Sequence, residues 1–247
     1  MIATKGSQND ATGLSTMLAL GGLAAMLSAL GALADVAIGM ITGGSVSALP
    51  HDAVGRFAEL AANPALGLYN LDLLNLVTTL IMVPALYACW LVLRRGAAQA
   101  GLAFALGILA TAVFVSGNPA LPMLGLSLDY AGADGQRREL LAAAGEAILA
   151  KGAHGSPGVL AGFLLSSIAN LLLSAIMLRT RNFSRTTAIL GLCGNLLLAA
   201  YLILVTFLPR VKDMAIAFAA PGGLMAIGWL LLMSFRLYRL SRTDLPD

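Results

Sequence analysis

Six stretches of this chain, residues 18–41, 71–93, 98–115, 159–178, 188–207 and 214–235, contain only two charged residues between them, Asp35 and Asp72. No water-soluble core of this length can absorb so many uncharged runs. A helix needs about 20 largely apolar residues to cross the hydrocarbon of a bilayer, whereas a membrane barrel shows weaker blocks of about 10 alternating residues. Long, uniform runs therefore predict an all-α fold, a polytopic transmembrane six-helix bundle. The composition agrees, with 59% hydrophobic and 11% charged residues, against about 25% charge in soluble domains.

The basic residues are confined to short links and tails, where they act as topology signals and phosphate contacts, so the pI near 9.1 implies no nucleic-acid partner. Lys5, Arg94, Arg95, Arg179, Arg181, Arg185, Arg236, Arg239 and Arg242 fall on one side of the six spans, nine of fifteen basic residues. Arg56, Arg137, Arg138, Lys151, Arg210 and Lys212 fall on the other. The bias of basic residues toward the cytoplasm then predicts an inner or plasma membrane protein with both termini cytoplasmic. The resulting organisation is an N-terminal tail (1–16), a six-span domain (17–240) and a C-terminal tail (241–247). The outer loops are 42–70 and 116–157. Run 18–41 is too long for a secretory signal, although Val46-Ser47-Ala48 faintly resembles a cleavage site.

In the longer outer loop, segment 134–150 places Leu140, Leu141, Ala144 and Ile148 on one helical face and Glu139 and Glu146 on another. A short amphipathic helix on the outer surface is predicted, with Asp134 capping its first turn. Asn63-Pro64-Ala65-Leu66 and Asn118-Pro119-Ala120-Leu121 echo each other on the outer side, where Asn-Pro supplies a rigid turn at a helix end. Pro221, followed by Gly222 and Gly223, interrupts the sixth run and predicts a kink.

Polar groups inside the spans carry the functional signal. A lone charge at bilayer depth costs at least about 2.5 kcal/mol, so Asp35 and Asp72 should face protein or water. Asp35 lies in the outer half of the first span. Asp72 and Asn75 start the second, three residues apart on a shared face, just after Tyr69 and Asn70. Together they could form an outward-opening polar pocket. Asp35, Asp72, Asn75 and Asn170 are the candidate ligand-binding residues. Asp72 also suits a helix cap. Asn195, Pro221, Gly222 and Gly223 are candidate structural positions, because small residues permit close helix approach and an unpaired amide in hydrocarbon is costly.

Catalytic equipment is thin. His51 and His154 both lie in outer connections without metal-ligand spacing, although a joint site with Asp52 is geometrically conceivable. They do not supply the paired axial ligands of a haem, and no phosphate loop, nucleophile elbow or dinucleotide fingerprint is present. Cys89 and Cys193 both fall within spans, which leaves no extracellular disulfide framework. No catalytic residue, metal or cofactor is assigned.

Three stretches carry a resemblance: Leu71-Asp72-Leu73-Leu74-Asn75, the segment Asp134-Gly135-Gln136-Arg137-Arg138-Glu139-Leu140-Leu141-Ala142-Ala143-Ala144-Gly145-Glu146-Ala147, and Met177-Leu178-Arg179-Thr180-Arg181-Asn182-Phe183-Ser184-Arg185-Thr186-Thr187-Ala188. Through them the chain, from 17 to 239, resembles a bacterial family of six-span membrane proteins classed as a domain of unknown function. The resemblance implies a bacterial integral membrane protein with a shared helical bundle, and it carries over no catalytic residue.

Three functions fit these residues. One is a structural or regulatory membrane subunit whose partner is another membrane protein or a second copy of the chain. Another is binding or transport of a small apolar or amphiphilic molecule through a pocket containing Asp35. The third is a lipid-modifying enzyme using Asp35, Asp72 and His51. Membrane lipid is a partner in every case.

Overall fold

A computed structural model describes residues 3–41, 49–153, 156–208 and 212–243. Within these the chain is entirely helical: α1 (Ala3–Ile41), α2 (Ala53–Ala62), α3 (Pro64–Tyr69), α4 (Leu73–Leu93), α5 (Gln99–Gly117), α6 (Ala120–Ala131), α7 (Gly135–Gly152), α8 (Pro157–Thr180), α9 (Arg185–Phe207) and α10 (Lys212–Leu240). Helices α1, α4, α5, α8, α9 and α10 supply the six spans, the third running on into α6. At 1.5 Å per residue, the 21 residues of α4 cover about 32 Å, matching a hydrocarbon core of about 30 Å. The 39 residues of α1 extend well past that thickness.

The spans form a closed ring in the order α1, α4, α5, α8, α9, α10 and back to α1. Small residues make its joints. A Cβ on Gly21 would strike the Ala88 methyl of α4, and one on Gly22 would lie 3.1 Å from the Ser234 carbonyl of α10, so consecutive glycines let α1 touch both neighbours. Gly194 and Gly222 likewise bring α9 and α10 into backbone contact. Ser234 Oγ donates to the Gly22 carbonyl at 2.7 Å, closing a joint that apolar packing alone leaves polar. The apolar core between the helices includes Leu18, Cys89, Leu93, Met177, Trp229, Met233 and Leu237.

Outward faces remain apolar. Leu20, Leu23, Leu27 and Leu30 recur at helical spacing along α1, each more than 40% exposed, a stripe that belongs in lipid rather than water. The chain is thus a six-span membrane protein.

Antiparallel succession gathers the ends of the helices into two layers. At one end the α4–α5 and α8–α9 links and the end of α10 bring Arg94, Arg95, Arg179, Arg181, Arg185, Arg236 and Arg239 together. Asn182 ties this layer, donating to the Val92 carbonyl at 3.0 Å and accepting from Arg236 Nε at 2.7 Å.

The opposite end carries a cap of α2, α3, α6 and α7 around Phe57, Leu60, Leu71, Met123 and Leu149. Its polar joints are Ala53 N–H to Glu146 Oε1 at 2.7 Å and Ser127 Oγ to the Phe57 carbonyl at 3.1 Å. The helix expected over 134–150 exists as α7, but its packed face is different. Gly145, Leu149 and Gly152 are buried while Leu140 is 64% exposed. Gly145 sits against Ala53 and Phe57, and Gly152 against the Gly117 carbonyl. A contact made by glycines carries no apolar signature. Asp134 occupies the N-cap position without a side-chain capping bond.

The Asn-Pro echo has a capping explanation. Asn63 Oδ1 accepts from Leu66 N–H at 3.1 Å and starts α3, while Asn118 Oδ1 accepts from Ala120 N–H at 3.1 Å and starts α6. The expected interruption at Pro221 leaves α10 a single helix. Gly222 faces α9, whereas Gly223 faces open space.

Candidate functional site

Helical periodicity brings the interior polar residues of the six spans together at mid-ring. A cleft of about 220 Å³ is lined by Ser28 of α1, Thr78 and Thr79 of α4, Thr111 of α5, Ser166 and Asn170 of α8, Asn195 of α9 and Trp229 of α10. Every span contributes. At about 30 Å³ per water, this space holds roughly seven waters or a small polar group.

Most hydroxyls here donate to nearby main chain. Thr111 Oγ1 bonds to the Gly107 carbonyl at 3.0 Å, Thr78 Oγ1 to that of Leu74 at 3.1 Å, and Ser28 Oγ to that of Thr78 at 3.3 Å. Their oxygen lone pairs stay available as acceptors. Asn170 Nδ2 donates to Asn195 Oδ1 at 3.1 Å, and Asn195 Nδ2 donates to the Gly191 carbonyl at 2.8 Å. Donors are present too. Trp229 Nε1–H and Ser174 Oγ are both buried without a hydrogen-bond partner among the described residues, and both pack where a Gly191 side chain would lie. Both groups are packed against the Gly191 backbone rather than open to the cleft.

A second polar cluster lies toward the capped end. Asp35 follows Ser28 by seven residues on α1, the same face two turns on, and Asn75 precedes Thr79 by four on α4. The Tyr69 hydroxyl donates to the Asp35 carbonyl at 3.0 Å. Asn75 Nδ2 donates to Asp72 Oδ1 at 3.0 Å, and Asn118 Nδ2 donates to the Asp72 main-chain carbonyl at 3.1 Å. Tyr201 of α9 also feels the Asp72 carboxylate. Tyr69 lies outside the spans, where partial burial, and then the charges of Asp35 and Asp72, push its hydroxyl up to about 12. It remains a neutral donor at any physiological pH.

Asp72 adopts a left-handed backbone, φ 63° and ψ 27°, uncommon for a residue with a Cβ though better tolerated by aspartate. It occupies the N-cap position of α4, but its side chain makes no capping bond to the helix. The expected cap is therefore not formed. Asn75 and Asn118 hold the turn instead.

The candidate residues thus fall into two neighbouring sets. Asp35, Asp72 and Asn75 gather near the capped end with Tyr69, while Asn170 lines the mid-ring cleft, of which the other three are not lining residues. Ser28, Thr78, Thr79, Thr111, Ser174 and Trp229 were not singled out from sequence. Polar side chains four apart on one face, as Ser166, Asn170 and Ser174 are, were the signal available. His51 is exposed and Asp52 Oδ1 accepts from Gly55 N–H at 2.7 Å as the α2 cap, while His154 lies outside the described residues. Among the described residues no three His, Cys, Asp or Glu side chains gather as metal ligands. No protein-family model, curated protein or solved structure matches this six-span chain.

Proposed function

We propose that the protein binds, and passes through its ring, a small amphiphilic molecule whose polar group is neutral or cationic. The observation that carries this reading is the mid-ring cleft to which all six spans contribute polar side chains. Hydroxyl oxygens and the amides of Asn170 and Asn195 suit a hydroxyl or amide, and among the described residues no charged side chain lines the space. The two carboxylates toward the capped end favour cationic or neutral solutes over anions. In this reading Asp35, Asp72 and Asn75 receive the polar group near the cap and Asn170 meets it inside the ring.

The arginine-rich layer supports a cytoplasmic placement of that end and of both termini, by the bias of basic residues. The stretches resembling the bacterial six-span family support a bacterial inner membrane location.

The test is mass spectrometry of small molecules retained by protein extracted in mild detergent, comparing wild type with Thr111→Phe, which fills the cleft. At least tenfold less of a specific amphiphile in the variant is expected. Retention of none by wild type, or of equal amounts by both, would remove the proposal.

A structural or regulatory subunit is the second reading, favoured by the closed Asn170–Asn195–Gly191 hydrogen-bond chain, which satisfies its own members. Crosslinking in native membranes that captures a second chain at high yield, with no retained amphiphile, would select it.

A further inference from the structure

A second cleft, of about 450 Å³, opens at the arginine-rich end and shares no residue with the mid-ring site. We propose that it binds an anionic phospholipid, the phosphate held by Arg239 and Arg242 and the acyl chains laid along Leu232 and Phe235. These four residues line the cleft together with Arg236 of α10 and Thr187 of α9.

The argument begins with spacing. Leu232, Phe235, Arg236 and Arg239 stand at i, i+3, i+4 and i+7, a single face of α10. Over about 10 Å this face changes from apolar to cationic, in the direction that leads from the membrane interior to its surface. A phospholipid changes from chain to phosphate in the same direction.

Charge gives the second step. Among the described residues the ion pair is Arg56–Glu59, at the other end of the molecule, and no acidic residue lines this cleft. Arg236 is fixed by its bond to the Asn182 carbonyl. Arg242 is posed by a 2.7 Å hydrogen bond to the Tyr238 hydroxyl and lies 4.4 Å over that ring. The Arg239 guanidinium has no hydrogen bond or ion pair to any described residue. Three planar donors around one cleft, with no counter-charge among the described residues, suit a phosphate diester, which guanidinium groups bind through paired N–H bonds. Basic recesses between membrane helices are recognised lipid-headgroup geometry.

The apolar half of the cleft selects lipid over free phosphate. Phe235 is 61% exposed and Leu232 stands one turn deeper, so an inorganic ion would leave both uncovered. The first turn of α9, capped by Ser184 Oγ on Thr187 N–H at 3.1 Å, forms the facing wall and adds its partial positive charge.

Native mass spectrometry of the full chain, with added phosphatidylglycerol or phosphatidylcholine, tests this. Wild type should prefer phosphatidylglycerol, and the double variant Arg239→Gln/Arg242→Gln should weaken that lipid by about 30-fold, roughly fivefold per arginine near a lipid surface. Arg95→Gln, the loss of one arginine charge at the same end outside the cleft, should leave the preference intact. Equal binding of the two lipids, or equal loss in Arg95→Gln, overturns the site. Displacement of the lipid by equimolar inorganic phosphate also overturns it, in favour of a soluble-anion site. Circular dichroism of each variant confirms that the helices are intact, and a double variant that unfolds is replaced by Arg239→Gln alone, for which a fivefold loss is expected and no loss overturns the site.

Discussion

Replacing Gly191 with alanine forces a methyl group into the contact where α8, α9 and α10 meet. An ideally placed Cβ lies 2.7 Å from both Nε1 and Cδ1 of Trp229 and closer still to Ser174 Oγ. The Ser174 hydroxyl can rotate away. The Trp229 ring, 2% exposed, moves only if the helices do. Overpacking of this kind costs about 1–3 kcal/mol, while alanine gains about 1 kcal/mol over glycine in helix propensity. Gly223→Ala on α10 supplies the reference, since nothing lies within 4 Å of its Cβ. The propensity gain is common to both variants. Their stability difference therefore isolates the packing cost, about 1–3 kcal/mol with Gly191→Ala the weaker. Reversible unfolding in mixed micelles, followed by helical circular dichroism, measures it. Adding Ser174→Ala should recover part of the loss, leaving the Trp229 share. Equal stability of Gly191→Ala and Gly223→Ala would falsify the helix contact from which the mid-ring site is built.

Three further outcomes follow from single side chains. Tyr69 has its hydroxyl raised from 10 to about 12, so the folded state holds a proton that the unfolded state loses between those values. Its stabilising contribution is complete below pH 10 and disappears as pH rises toward 12. Tyr69→Phe should remove this pH-dependent component, and an unchanged alkaline profile would contradict the Tyr69–Asp35 contact. Asp52→Ala removes the cap of α2 and should cost about 1 kcal/mol in the same unfolding assay, whereas no loss would deny that cap a role. Cys193 is exposed on the ring while Cys89 is buried against Met233 Sδ at 3.2 Å, so a lipid-soluble maleimide should label Cys193 alone. Equal labelling of both would contradict the packing of α4 against α10.

Much of this architecture was legible in the chain because hydrocarbon imposes a single strong condition, long uncharged helices. All six spans follow from it, with ends that shift by several residues because apolar character does not stop where a helix does. The first span shows this: α1 starts at Ala3, far ahead of residue 18. The cap was much less legible. Only α7 was expected there, and its packed face was misjudged because Gly145 and Gly152 make the contacts. Helices α2, α3 and α6 are short, and the Asp and Asn caps that start them are ambiguous among loop residues. Asp35, Asp72 and Asn75 stood out as polar groups in apolar runs. Ser28, Thr79 and Thr111 did not, since a single hydroxyl is inexpensive in lipid, whether it bonds back to its own helix as Thr111 does or to a neighbouring helix as Ser28 does, and becomes notable only when six helices direct polar groups to one place.

The central claim is a ring with a polar interior and an apolar exterior. In protein with Cys89 and Cys193 replaced by alanine, single cysteines at Ser28, Thr79, Thr111 and Ser166 line the cleft, while those at Leu27, Leu80, Leu109 and Ile168 face outward. Reaction of each with a small, charged, membrane-impermeant thiol reagent separates the two sets. Labelling of the first four, at least tenfold faster than the second, is the predicted result. Equal rates for the two sets, or no reaction at any of the four interior positions, would contradict it.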